Sequence, residues 1–178
     1  MGLTPLEGLP GATRSGSIDP SLVFHYTSDA SSLVRSSTKE LHISVAEEIL
    51  NKQAGWKSMV GTTDFGKVVK GMNEGDEKMK LLFDLFVDRI VGYIGNYFVK
   101  LEGIIDALTF SGGIGEKSED LRKAVIDKVV CLGFQLANDP VSANINRTVM
   151  RLGPKILVIK TNEEVRTVVS SYENRLEV

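Results

Sequence analysis

The chain is 178 residues long and carries 21 Lys and Arg against 23 Asp and Glu, a formal net charge of −2. This near balance excludes a broad electrostatic grip on nucleic acid or on an anionic membrane surface. Cys131 is the only cysteine, which excludes an internal disulfide and fits a reducing, cytoplasmic setting. A chain of this length can bury roughly 70% of its unfolded surface without a covalent staple. No apolar run of about 18 residues is present, so no membrane span is expected. No basic segment followed by an apolar one opens the chain, so no signal peptide is expected.

Residues 1–20, "MGLTPLEGLPGATRSGSIDP", have the glycine and proline content of a loop and read like the interior of a protein. Asp19 or Ser21 is placed to cap a short helix near 20–35, with Pro20 in its first turn. Residues 39–54 have a helical pattern, and Gly61 and Gly66 are turn signals in the mixed stretch that follows. From Asp76 to Leu101 apolar residues recur at spacings of three and four, which predicts an amphipathic helix of about seven turns. Gly92 and Gly95 within it are expected at a close helix contact.

Ile104 to Phe110 is a strand candidate, and Ser118 to Cys131 a helix ended by Gly133. Asn138 to Pro140 is a turn. Lys155 to Lys160 is a second strand candidate, and Thr161 to Tyr172 a helix capped by Thr161 or Asn162. This alternation of strands and helices signals an α/β fold. No internal repeat or low-complexity tract interrupts it.

The segment "FSGGIGEKSED", residues 110–120, places glycines between a strand and a helix. Glycine allows close backbone approach and left-handed angles, which suits a phosphate or nucleotide and equally suits a tight turn. The spacing matches neither the Lys-containing phosphate loop nor the dinucleotide fingerprint. Arg14, among small residues, has room for a phosphoryl group or carboxylate, or is a surface arginine. Residues 161–164, "TNEE", could approach magnesium or simply cap a helix. Residues 61–67, "GTTDFGK", could hold an adenosine or form a polar turn. His25 and His42 lack metal-ligand spacing and are expected in solvated or core roles. Cys131 is expected as inert core packing, and the "KSEDLRK" charges as a solvated helix face.

In this order these segments together resemble the acetate kinase family. "MGLTPLEGLPGATRSGSIDP" is similar to that family's Met-Gly-Phe-Thr-Pro-Leu signature. "FSGGIGEKS" is similar to its Phe-Thr-x-Gly-Ile-Gly-Glu-Asn-Ser loop, and "VIKTNEEV" to its Thr-Asn-Glu-Glu-Leu segment. The likeness runs from residue 1 to about 170. It implies the C-terminal domain of an actin-like, ribonuclease H-like two-domain ATPase, with a central sheet flanked by helices. All 178 residues would then form a nucleotide-binding and dimerisation domain entered by an active-site loop at 1–20.

The implied activity is magnesium-dependent phosphoryl transfer between ATP and acetate, giving ADP and acetyl phosphate, in a cytoplasmic homodimer. Arg14 matches the arginine that stabilises the transferring group. Asp64 and Phe65, with Gly66 beside them, match the adenosine-contacting segment. Gly113, Ile114, Gly115, Glu116 and Lys117 match the nucleotide loop, and Glu163 the magnesium-associated glutamate. Lys117 stands where the family usually has asparagine, and Gly66 where bacterial members usually have arginine. The family's N-terminal motifs have no match here, so the chain is expected to be a fragment with little activity alone. The alternatives are a non-catalytic nucleotide-binding or dimerisation module, or half of a propionate or butyrate kinase.

Overall fold

The computed structural model describes residues 4, 6–23, 44–137, 143–144 and 149–161. The chain divides into two compact units, Met1–Gly92 and Tyr93–Val178.

In the first unit, helix α1 (Val45–Glu48) begins at Ser44, whose hydroxyl accepts from the Glu47 amide at 3.1 Å. It passes into a π-helical turn, Ile49–Gln53, and then α2 (Gly55–Val60), ended by left-handed Gly61. Helix α3 (Phe65–Asn73) is capped by Asp64, which accepts from the Gly66 amide at 2.8 Å. Gly61 is the turn its sequence suggests, whereas Gly66 lies inside a helix, because the Asp64 cap starts α3 one residue before it. Helix α4 (Glu77–Lys100) matches the predicted amphipathic helix. Asp76 caps it, accepting from the Lys78 and Met79 amides at 2.9 and 3.0 Å.

The core of this unit is aromatic. Trp56 packs against Phe65 and Phe86 at centroid distances of 5.7 and 5.6 Å, and Phe65 against Phe83 at 6.1 Å. Val68, Leu82 and Val87 are buried with them. The start of the 20–35 helix is visible as one turn at Leu22–Val23, where Asp19 accepts from the Ser21 amide and hydroxyl at 2.8 and 2.7 Å. His25 and His42 and the rest of that helix lie outside the described residues.

In the second unit, α4 ends in a Schellman arrangement. The Gly103 amide donates to Phe98 O and the Glu102 amide to Val99 O, with Glu102 at a φ of 55°. This ending holds Ile104 out of any strand, at 81% exposure, so β1 covers only Leu108–Phe110 of the predicted stretch. Then come α5 (Gly112–Lys117), α6 (Glu119–Val129) and a 3₁₀ turn closed by left-handed Gly133.

Strands β2 (Ala143–Asn144), β3 (Val149–Gly153) and β4 (Ile156–Ile159) complete a sheet of order β1-β4-β3-β2. β1 and β4 run parallel, while β3 pairs antiparallel to both β4 and β2. The hairpin from β3 to β4 was not foreseen, because Val149–Gly153 carries Arg151 and ends in a glycine instead of showing a clean alternation. Leu121, Val125, Ile126, Val129, Phe134, Ile156 and Val158 form the core.

Three expectations are corrected. Gly92 and Gly95 meet nothing within 4 Å of an added Cβ, so neither marks a helix contact among the described residues. Cys131 is exposed, because it falls on the outer side of the 3₁₀ turn. Arg122 is buried, because it shares the α6 stripe of Val125, Ile126 and Val129. Among the described residues no helix is long and apolar enough to cross a membrane. The predicted turn at 138–140 and the helix from 161 to 172 lie outside the described residues, apart from Thr161.

Gly55 ties the first unit together. Its φ is 67°, and an added Cβ would strike the Gly11 carbonyl oxygen and come within 2.8 Å of Arg14 O. Gly55→Ala is therefore expected to cost more than about 2 kcal/mol, from a left-handed angle plus a backbone clash. Urea unfolding followed by Trp56 emission checks this, and an unchanged midpoint would contradict it.

Candidate functional site

Each unit holds part of the predicted site. In the first, the loop from Gly11 to Ser15 is sewn to the segment 50–57 by backbone bonds. The Ser15 amide donates to Leu50 O at 2.9 Å, and the Ala54 amide to Thr13 O at 3.0 Å. The Trp56 and Lys57 amides donate to Gly11 O and Ala12 O at 3.1 and 2.9 Å. The Thr13 hydroxyl donates to Asn51 O at 2.9 Å. The π turn supplies two of these acceptors, Leu50 and Asn51. Arg14 stands in this braced loop with an exposed side chain, and no hydrogen bond or ion pair engages its guanidinium among the described residues. A braced backbone carrying a free planar cation is suited to meeting an oxyanion.

Asp64, Phe65 and Gly66 open α3. The Asp64 carboxylate is occupied by its capping bond, and the Phe65 ring is buried against Trp56, Phe83 and Phe86. The exposed groups of this segment are Asp64 and the Gly66 backbone.

In the second unit, Gly113, Ile114, Gly115, Glu116 and Lys117 form the short helix α5 directly after β1. Gly112 enters it at a φ of 74°, a left-handed angle that favours glycine. Gly113 is different. It is exposed, its φ is not left-handed, and an added Cβ would meet nothing within 4 Å among the described residues. Neither strain nor internal packing requires a glycine there. A Cβ added at Gly115 would lie 3.6 Å from the Phe110 backbone, an ordinary contact. Lys117 is exposed at the end of α5.

Glu116 does not face outward as a simple ligand. Its Oε1 accepts from the Gly112 amide at 3.0 Å, the Thr161 amide at 2.8 Å and the Thr161 hydroxyl at 3.0 Å. It thereby ties the turn after β1 to the end of β4. The Thr161 amide bond above all holds its carboxyl below the ordinary glutamate range. The Thr161 hydroxyl, the Gly112 amide and the Lys160 charge add to this, while desolvation opposes it.

From below, Arg122 Nη1 donates to Gly115 O and Glu116 O at 2.9 and 2.8 Å, fixing the last carbonyls of α5. Sequence reading missed Arg122, although its place in the apolar stripe of α6 was the available signal. Glu163 lies outside the described residues. Among the described residues no group of three or more His, Cys, Asp or Glu could hold a metal ion.

The Acetokinase family model matches residues 1–169. The chain is 64% identical over 140 residues to the "Probable acetate kinase" of Emericella nidulans, covering 79% of this chain and 33% of that protein. It is 57% identical over 160 residues to that of Neurospora crassa, covering 83% and 33%. A solved propionate kinase from Francisella tularensis superposes with a TM-score of 0.70 at 37% identity, over 92% of this chain and 40% of that one. The chain thus spans about a third of the length of these two curated relatives. The fold is the actin-like ATPase fold expected from the sequence. Matched over nearly its whole length, the chain belongs to the acetokinase family.

Proposed function

We propose that this chain supplies the nucleotide-binding half of a cytoplasmic acetate kinase, which moves a phosphoryl group reversibly between ATP and acetate. The observation that carries the reading is Gly113, an exposed glycine with open space where its Cβ would be, directly after a parallel strand. Its backbone can be approached by a ligand as no other residue type would allow. Gly113, Ile114, Gly115 and Lys117 are assigned to the nucleotide, with Glu116 holding their geometry. Asp64 and Gly66 are assigned to the adenosine side, and Phe65 supports them from the core. Arg14 is assigned to the transferring group. Its fork of N–H donors neutralises the charge spread over the phosphoryl oxygens. Glu163 keeps its association with magnesium as part of this proposal. The acceptor is acetate, and propionate is the competing acceptor favoured by the likeness to a propionate kinase.

Calorimetric titration with Mg-ADP is the direct test. Wild type is expected to bind, and Gly113→Arg to bind at least about 10-fold more weakly with an unchanged far-UV spectrum. Glu116→Ala should weaken binding about 5-fold by releasing the turn. A folded-state pKa held low means that the tie is complete above the ordinary carboxylate range and is lost as pH falls through the lowered value. Affinity should therefore persist into mildly acid solution. Equal affinity in Gly113→Arg would remove the α5 turn from the site.

Turnover is a separate matter. Phosphoryl transfer gains most of its rate from groups positioned around the phosphate. The 178 residues alone are expected to form little acetyl phosphate. Robust formation by the purified chain would overturn that.

The homodimer is proposed to form through the second unit. There Tyr97, Val99, Leu101 and Ile104 are 49%, 76%, 53% and 81% exposed along the end of α4 and just beyond it. Sedimentation should show a dimer that Val99→Glu converts to monomer. A wild-type chain that stays monomeric at high concentration would exclude this face.

A further inference from the structure

The first unit contains a pocket of about 250 Å³ that the proposed phosphoryl chemistry does not use. At ~30 Å³ per water in the liquid, it has room for about eight waters, or a ligand of roughly nine non-hydrogen atoms. Its apolar wall is Trp56, Leu82 and Phe86, all buried, with Pro10 and Ile18 from the loop opposite. Met59, Leu85 and Arg89 also line it and are exposed. Arg14 is not among its lining residues.

One charged group in this lining lacks a partner among the described residues. Trp56 is 5% exposed, and its Nε1–H is fully buried, so it is not offered to the pocket. Arg89 has no hydrogen bond or ion pair among the described residues. Two of the three lining hydroxyls supply a complementary restriction. Ser15 Oγ donates to Gly16 O and Ser58 Oγ donates to Gly55 O, while the third, Ser17 Oγ, accepts from the Gly8 amide at 3.0 Å. The Ser15 and Ser58 protons are thus committed, and those two oxygens offer the pocket lone pairs, which repel an anion. An anionic head is therefore directed to Arg89, and a flat apolar body to the Trp56 and Phe86 rings.

We propose that this pocket binds a small monocarboxylate with a flat apolar body. Its carboxylate would pair with Arg89 and its body would lie on Trp56. This binding does not depend on the role assigned to Arg14.

Trp56 is the only tryptophan in the chain and lines this pocket, so its emission carries the signal of an occupant. The probe is sodium benzoate, titrated into the full 178-residue chain with red-edge excitation, beside benzyl alcohol as the neutral analogue of similar shape. A saturable change with a Kd of about 1 mM or tighter is expected for benzoate. Benzyl alcohol should bind about 5-fold more weakly. Arg89→Gln should weaken benzoate by about the same factor and leave benzyl alcohol unchanged. Arg14→Gln should leave benzoate binding unchanged, which separates this pocket from any carboxylate site at Arg14. A response linear in benzoate, equal affinity for the two probes, or a loss in Arg14→Gln matching that in Arg89→Gln would each overturn the proposal.

Discussion

The parallel pairing of β1 with β4 is the constraint on which the second unit depends. Leu108, Thr109 and Phe110 lie opposite Ile156, Leu157 and Val158, so the two strands end side by side and pointing the same way. Parallel neighbours cannot be joined by a tight turn, so the chain must leave the sheet and return. It leaves through α5 and α6 and returns through the β3–β4 hairpin. Both departures from the strand ends then start from one place, and one carboxylate oxygen can reach both. Glu116 does so, with its bonds to Gly112 and Thr161. In open α/β sheets ligands gather at such carboxyl ends of strands. Here the backbone that a ligand would meet is fixed before any ligand arrives.

The first unit reaches a similar end by different means. Backbone groups of residues 50–57 hold most of the Gly11–Ser15 loop, through the bonds accepted by Leu50, Thr13, Gly11 and Ala12, and the Thr13 hydroxyl adds one bond to Asn51 O. Because these bonds involve peptide groups, the loop is braced without consuming the Arg14 guanidinium. The cost is a set of glycines with no freedom to vary. Gly55 must be left-handed under the Gly11 carbonyl, and Gly16 would place a Cβ 2.6 Å from Pro10 N. The aromatic cluster below, with Trp56 as its centre, carries the same constraint into the core. Trp56 donates its backbone amide to Gly11 O and packs its ring tilted against Phe65 and edge-on against Phe86. Loop position, α3 position and α4 position are thus coupled through one residue.

What the sequence discloses follows from how local each signal is. Helix α4 was legible because its apolar period runs for 24 residues and Asp76 caps it. Ser118 and Gly133 likewise announced the limits of the helix between them, since capping is decided within a few residues. The β2–β3–β4 arrangement was hidden, because pairing of Val149 with Ile159 is a non-local fact that short strands of mixed composition do not advertise. In the site, Gly112 was legible as a turn former after β1, but the task of Glu116 was not. Its main partner, Thr161, is 45 residues away. Phe65 was readable as part of a motif, whereas its burial depends on Phe83 and Phe86, which belong to another helix.

Arg122 shows how the turn can be both rigid and open. A buried guanidinium without a carboxylate is an expensive choice, and its Nε is left without a partner. A carboxylate in that place would have taken the N–H groups that now reach Gly115 O and Glu116 O. Those carbonyls close the last turn of α5, where a cation is favoured and where no amide of a longer helix is available. The arginine therefore replaces the next turn of helix. It lets α5 stop after six residues and lets Ser118 begin α6 at once. A longer α5 would have satisfied its carbonyls unaided and needed no buried charge. It would also have delayed the turn into α6, whose buried stripe packs in the core with Ile156 and Val158. The short helix, the open glycine at its head and the charge beneath its end belong to a single solution.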